Sequence, residues 1–130
     1  MRSVAGSYES IRNTLVHMMS AEGGIVDRCG GPRRGDTLKP VDFPTLDSIV
    51  RYWATQEGKV RGFLAGLTDA DLSRRIEFTV PLFSFSPVIA VGEILHHTAI
   101  HSIHHRGRVT LLLRALGHTP GNVDMLFYYR

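Results

Sequence analysis

The chain has 130 residues, 43% hydrophobic and 21% charged, with 13 Gly, 6 Pro and one Cys, an ordinary composition for a single domain spanning residues 1–130. A lone Cys29 excludes a disulfide scaffold, so a reducing, cytoplasmic setting is expected. Lys and Arg number 15 against 12 acidic residues, a formal charge of only +3. These basic residues are mostly scattered singly, which argues against a nucleic-acid partner. The opening residues lack a signal-peptide pattern, and no apolar run approaches the ~18 residues of a membrane helix.

Ser7 stands ahead of Ile11, Leu15, Met18, Glu22 and Ile25, whose steps of three and four predict an amphipathic helix with Ser7 as N-cap. It should stop by Cys29-Gly30-Gly31-Pro32, where glycine freedom and proline's missing donor coincide. Arg28, Arg33 and Arg34 cluster in this stretch. They read as a solvated loop, the alternative being a clamp for an anionic substrate. Cys29 is read as a loop residue, although Arg28 and Arg33 could lower its pKa. Residues 33–44 carry Gly35, Pro40 and Pro44 with Asp36 and Asp42, a surface connection.

Thr45 begins the second helix, whose apolar stripe is Leu46, Ile49, Trp53, Val60, Leu64 and Leu67. Gly58 and Gly62 weaken it and suggest a bend or a close backbone approach. Thr68-Asp69-Ala70-Asp71 has the pattern of a capping box. Residues 75–85 alternate well enough between 76 and 82 to predict an extended hairpin arm lying on the helices. Ser86-Pro87 is a helix start and Gly117 a left-handed end, giving a third helix of about 30 residues, ~45 Å long. The tail, from Gly121 on, reads as a turn and a short apolar segment that docks.

Five of the seven histidines lie between residues 96 and 105. The inward stripe of the third helix runs Val91, Ile94, Thr98, His101, His105, Val109, Leu112 and Leu116, which points two imidazoles one turn apart into the core. Burying such a pair is costly unless it is satisfied, and a divalent cation satisfies both. His17, at the edge of the first helix's stripe, is the best third ligand. His97 is ambiguous, being one turn before His101, and would close the site as a fourth ligand. His96, His104 and His118 face solvent or a partner. Glu22 reads as a solvated charge rather than a carboxylate orienting an imidazole, and Tyr8 and Glu22 are the available proton-transfer helpers. Three neutral imidazoles suit zinc, nickel or iron, and an open position would lower the pKa of a held water or thiol.

Three segments carry a resemblance. GSYESIRNTLVHMMSAE contains S-I-x-x-T-L-x-H-x-x-x-x-E, HSIHHRGRVTLLLRALG contains H-x-x-x-H-R-G, and PGNVDMLFYYR opens on P-G-x-x-D. In order and spacing they resemble the DinB-like (damage-inducible) and YfiT-like superfamily of metal-binding helical bundles. The resemblance implies a mainly α, up-and-down bundle, usually dimeric, with a divalent metal, often zinc or nickel, held at the positions of His17, His101 and His105. Arg108 stands where the family usually has Gln. Members usually carry a helix before the segment matching GSYESI, and this chain begins only five residues ahead of it. The expectation is therefore three main helices plus a short extended segment, with an exposed apolar groove that a second copy covers in a homodimer or higher oligomer, a truncated start being the alternative. The function implied is a metal-dependent enzyme, a thiol-dependent transferase or isomerase or a hydrolase acting on a small molecule with a low-molecular-weight thiol as co-reactant. The alternative is a noncatalytic metal-binding bundle with a structural or stress-related role.

Overall fold

In the computed structural model, which describes residues 10–31, 35–79 and 83–129, three long helices carry the chain: α1 (Ile11–Arg28), α2 (Leu46–Ala65) and α4 (Val91–Ala115). A short α3 (Asp69–Ser73) and a two-stranded antiparallel ribbon, β1 (Arg75–Glu77) with β2 (Val88–Ala90), sit between α2 and α4. Helix α1 is central. It packs on α4 and on α2, which flank it rather than packing closely on one another.

The N-cap of α1 is Ser10, whose Oγ accepts from the Asn13 N–H at 3.1 Å, satisfying one of the four orphan donors of the first turn. Ser7, the expected cap, lies outside the described residues. At the other end the chain reverses as expected. Gly30 takes φ +94°, and the Gly30 and Gly31 amides donate back to the Asp27 and Val26 carbonyls at 3.1 and 2.9 Å, a paired closure that uses the left-handed conformation. Gly31 is required for space as well, since a Cβ there would sit 2.5 Å from Val26 Cγ1. Arg28 belongs to the last turn of α1, a correction to its reading as a loop residue; Arg33 and Arg34 lie outside the described residues.

Thr45 and Ser48 form a reciprocal capping box at the start of α2, and Thr68 with Asp71 does the same for α3, the second as the sequence pattern predicts. The buried face of α2 differs from the expected stripe. Ile49 and Gln56 are buried, Tyr52 and Trp53 pack beside Ile49, and Leu46 and Leu64 remain 66% and 44% exposed. The cause is partnership: α1 covers one side of α2, and Leu46 and Leu64 fall where that cover ends. Gly58 and Gly62 do not mark a close approach either, because nothing lies within 4 Å of the position a Cβ would take.

Two apolar clusters hold the helices. Val16, Met19, Phe43 and Ile49 join α1, the connection and α2; Ile25, Cys29, Val91 and Ile94 join the end of α1 to the start of α4, with Ile76, Phe78 and Ile89 of the ribbon packed on them. The ribbon corrects the expected start of the third helix. Val88–Ala90 pairs with Glu77–Arg75, so the chain stays extended past Ser86-Pro87, and α4 begins only at Val91, where the Glu93 carboxylate accepts from the Ala90 N–H at 2.9 Å. Strand pairing satisfies the backbone groups that a longer helix would otherwise bond. The predicted hairpin arm is thus present but short, Val80 and Leu82 lying outside the described residues. Gly117, at φ +85°, ends α4 with the same paired closure, through Gly117 N–H to Arg114 O and His118 N–H to Leu113 O. Beyond it a 3-10 turn, Met125–Tyr129, leaves Met125, Leu126 and Tyr129 more than 70% exposed, so the tail docks less than expected. Among the described residues no helix is long and apolar enough to cross a membrane.

Candidate metal centre

Helix periodicity places the site. Val91, Ile94, His105 and Leu112 are buried and Thr98, His101, Val109 and Leu116 half-buried, so the inward stripe of α4 runs as its spacing predicts and carries two histidines into the contact with α1. On α1, Thr14, Val16, Met18 and Met19 are buried, and His17 emerges half-buried at the boundary facing α4.

The three imidazoles converge. His17 Nε2 lies 3.2 Å from His101 Nε2, which lies 3.2 Å from His105 Nε2, and ligand atoms of all three fall within 4.8 Å of one another. The rings meet at steep angles, 58° between His17 and His101 and 63° between His101 and His105, so they converge by their edges rather than stacking. Nitrogens sharing one ion at ~2.1 Å, with angles between octahedral and tetrahedral values, stand about 3.0–3.4 Å apart. The two spacings that His101 Nε2 makes, to His17 and to His105, fit that window.

Electrostatics favour the form a cation needs. Burial, with repulsion from His101 and from the Arg108 guanidinium, lowers the His17 pKa to about 4. Burial and the neighbouring His101, His17, His104 and Arg108 lower His105 to about 4 as well, and burial with His97 and His104 lowers His101. All three are neutral at pH 7, with lone pairs available to a Lewis acid.

Other candidates are placed elsewhere. His97 is exposed, its ring 5.7 Å from that of His101, and it lies outside the three-residue group. His96, His104 and His118 are exposed. Glu22 is neither a partner of the imidazoles nor a fully solvated charge: it is half-buried on the opposite side of α1, where its Oε1 accepts from Gln56 Nε2 at 3.3 Å. Tyr8 lies outside the described residues. Cys29 is fully buried rather than in an open loop, and burial raises its thiol pKa against the opposing pull of Arg74, which leaves it a core residue.

Two features escaped the sequence reading. Arg108, one turn beyond His105 on α4, is close enough to depress both His17 and His105. Beside His17 a cavity of about 320 Å³ runs along α1, lined by Ser20, Ala21, Gly24, Asp27 and Arg28, with Gly35 and Thr37 of the connection opposite. The helical spacing of 17, 20, 21, 24, 27 and 28 is legible in the sequence, but which element would face it is not.

The sequence matches the DinB family over residues 3–130. The chain belongs to the DinB family. Among curated proteins the sequence finds no match. In this DinB protein the positions singled out by family resemblance and those singled out by helix spacing are the same three histidines, and the fold brings them together. Its architecture is mainly helical, as membership implies. A three-histidine group of this kind fits a metal-binding protein.

Proposed function

We propose that this DinB protein holds one divalent metal ion, zinc or nickel, on His17, His101 and His105 and works as a metal-dependent enzyme: a thiol-dependent transferase or isomerase, or a hydrolase, acting on a small molecule. The observation that carries the reading is the convergence of three imidazoles, with His101 Nε2 3.2 Å from the Nε2 atoms of both His17 and His105. Core imidazoles that served packing alone would hydrogen-bond outward to backbone or carboxylate groups rather than gather nitrogen against nitrogen. Among the described residues the group has three donors, fewer than a closed four-ligand structural site, and His97 stands outside it, which favours the enzyme over a structural role. When bound, the ion supplies Lewis acidity that lowers the pKa of a thiol or water it holds. The chain's own contribution is an electropositive wall: Arg108 favours an anionic over a neutral nucleophile beside the histidines.

Metal content per chain, measured by elemental analysis on untagged protein for wild type and His101→Ala, tests the reading. About one ion per chain in wild type, lost in the variant, is expected. A folded, metal-free wild type would overturn it.

The partner in this proposal is a second copy of the chain, seated over the groove between α2 and α4. An 850 Å³ apolar depression there is lined by Val60, Leu64, Leu95 and Ile103, with Val123 and Met125 of the tail forming one wall. Its polar edge carries Glu22 and Glu57 beside Arg61 and Arg106. A patch that carries both signs of charge around apolar walls can face a second copy of itself across a two-fold axis.

A further inference from the structure

The cavity along α1 has a composition that selects a ligand class. Its floor is the small-residue face Ser20, Ala21 and Gly24, its near end is His17, and its far end carries Asp27 and Arg28 together. Neither charge is spent elsewhere among the described residues, where the ion pairs are Asp47–Arg51 and Glu57–Arg61. The Arg28 guanidinium is nonetheless held: its Nη1 donates to the Gly24 carbonyl at 3.2 Å, and its Cζ lies 4.8 Å above the Phe78 ring. That leaves a positioned fork with further N–H donors, one residue from a half-buried carboxylate.

Charge decides among ligands. A plain anion drawn by Arg28 meets Asp27, and a plain cation drawn by Asp27 meets Arg28. A neutral, apolar molecule would leave the half-buried Asp27 carboxylate facing it without a partner. A molecule carrying both an ammonium and a carboxylate satisfies both at once. Volume and length narrow the class further. The 320 Å³ cavity lies at the low end of the ~300–1,000 Å³ typical of small-molecule sites, and eleven helical steps from His17 to Arg28 span about 16 Å.

We infer that this cavity is a binding site for a zwitterionic amino acid or dipeptide, with Asp27 receiving its ammonium, Arg28 its carboxylate, and the rest of the molecule lying along Ser20, Ala21 and Gly24 toward His17. That the ligand reaches a reactive ion at the His17 end rests on the metal reading above; the charged end does not.

Titration calorimetry of the full chain after chelator treatment, with alanylalanine as probe, tests the charged end without metal chelation by the peptide. Saturable binding is expected, weakened about tenfold or more by N-acetylation or C-amidation of the probe, since each removes a charge-assisted contact. Asp27→Asn should abolish the penalty for N-acetylation and Arg28→Met that for amidation, with circular dichroism confirming that each variant is folded. Absent binding, or binding indifferent to both substitutions, overturns the inference. The two readings fail separately: metal at one ion per chain without dipeptide binding removes this inference alone, and dipeptide binding by a chain that takes up no metal removes the metal reading alone.

Discussion

Helix α1 presents two unlike sides. Toward the contact with α4 and the 35–38 connection it shows His17, Ser20, Ala21, Gly24 and Asp27, a polar strip ending in converged imidazoles and a cavity. Toward the groove between α2 and α4 it shows Glu22 and Val26, the floor of a broad apolar depression. The first side gathers chemistry that packing alone would not justify; the second has apolar walls with no helix of this chain over them among the described residues. A helix can carry a site and an interface at once because residues five apart point about 140° away from each other, as His17 and Glu22 do.

The sharpest way to break this contrast is His105→Ala. Metal content should fall from about one ion per chain to near zero by elemental analysis while sedimentation is unchanged, because two remaining imidazoles hold a divalent ion poorly. The complementary double variant Leu64→Glu and Ile103→Glu places charges on the groove walls. Sedimentation should shift it from dimer to monomer with metal content retained, and a wild type that sediments as a monodisperse monomer would remove the partner proposal.

A pH series separates the two sides further. The unfolded chain binds protons on its histidines near pH 6.5, whereas His17 and His105 take them up only near pH 4 in the fold. Their contribution to stability is therefore complete above about pH 6.5 and is lost progressively as pH falls from there toward 4. Urea midpoints of metal-free protein should drop across that window, and the drop should shrink in His17→Ala. Smallest of all should be Gln56→Met. It removes the bonds from Gln56 Nε2 to the Met19 carbonyl at 2.9 Å and to Glu22 Oε1 at 3.3 Å, but also a buried Oε1 that accepts nothing. Those effects oppose each other, so urea unfolding should change by no more than about 1 kcal/mol.

Much of this was legible along the chain. The stops at Gly30-Gly31 and Gly117, the helix start at Thr45, the capping box at Thr68, and the inward stripe of α4 all follow from local backbone chemistry, and each is where the pattern placed it. The misses share a cause. Ser86-Pro87 looked like a helix start because the local signal is good, yet β1 captured the following residues by pairing. Leu46 and Leu64 looked buried because periodicity reports a face and not whether anything covers it. Gln56 entered the core because Met19 offered a carbonyl there, a partner 37 residues away that no local rule can see.

For the site the division is similar. The sequence by itself determined that His101 and His105 share a face of one helix, because a four-residue step is nearly a full turn, and that His17 lies at the edge of another. Only the tertiary structure decided that the edges meet with Nε2 atoms 3.2 Å apart, that His97 stays outside, that Glu22 turns away to Gln56, and that Arg108 faces the histidines. The physical reason is that intrahelical spacing is fixed by hydrogen bonds within one element, whereas the rotation of α1 against α4 is set by the burial of Ile25, Cys29, Val91 and Ile94, residues that touch none of the chemistry they align.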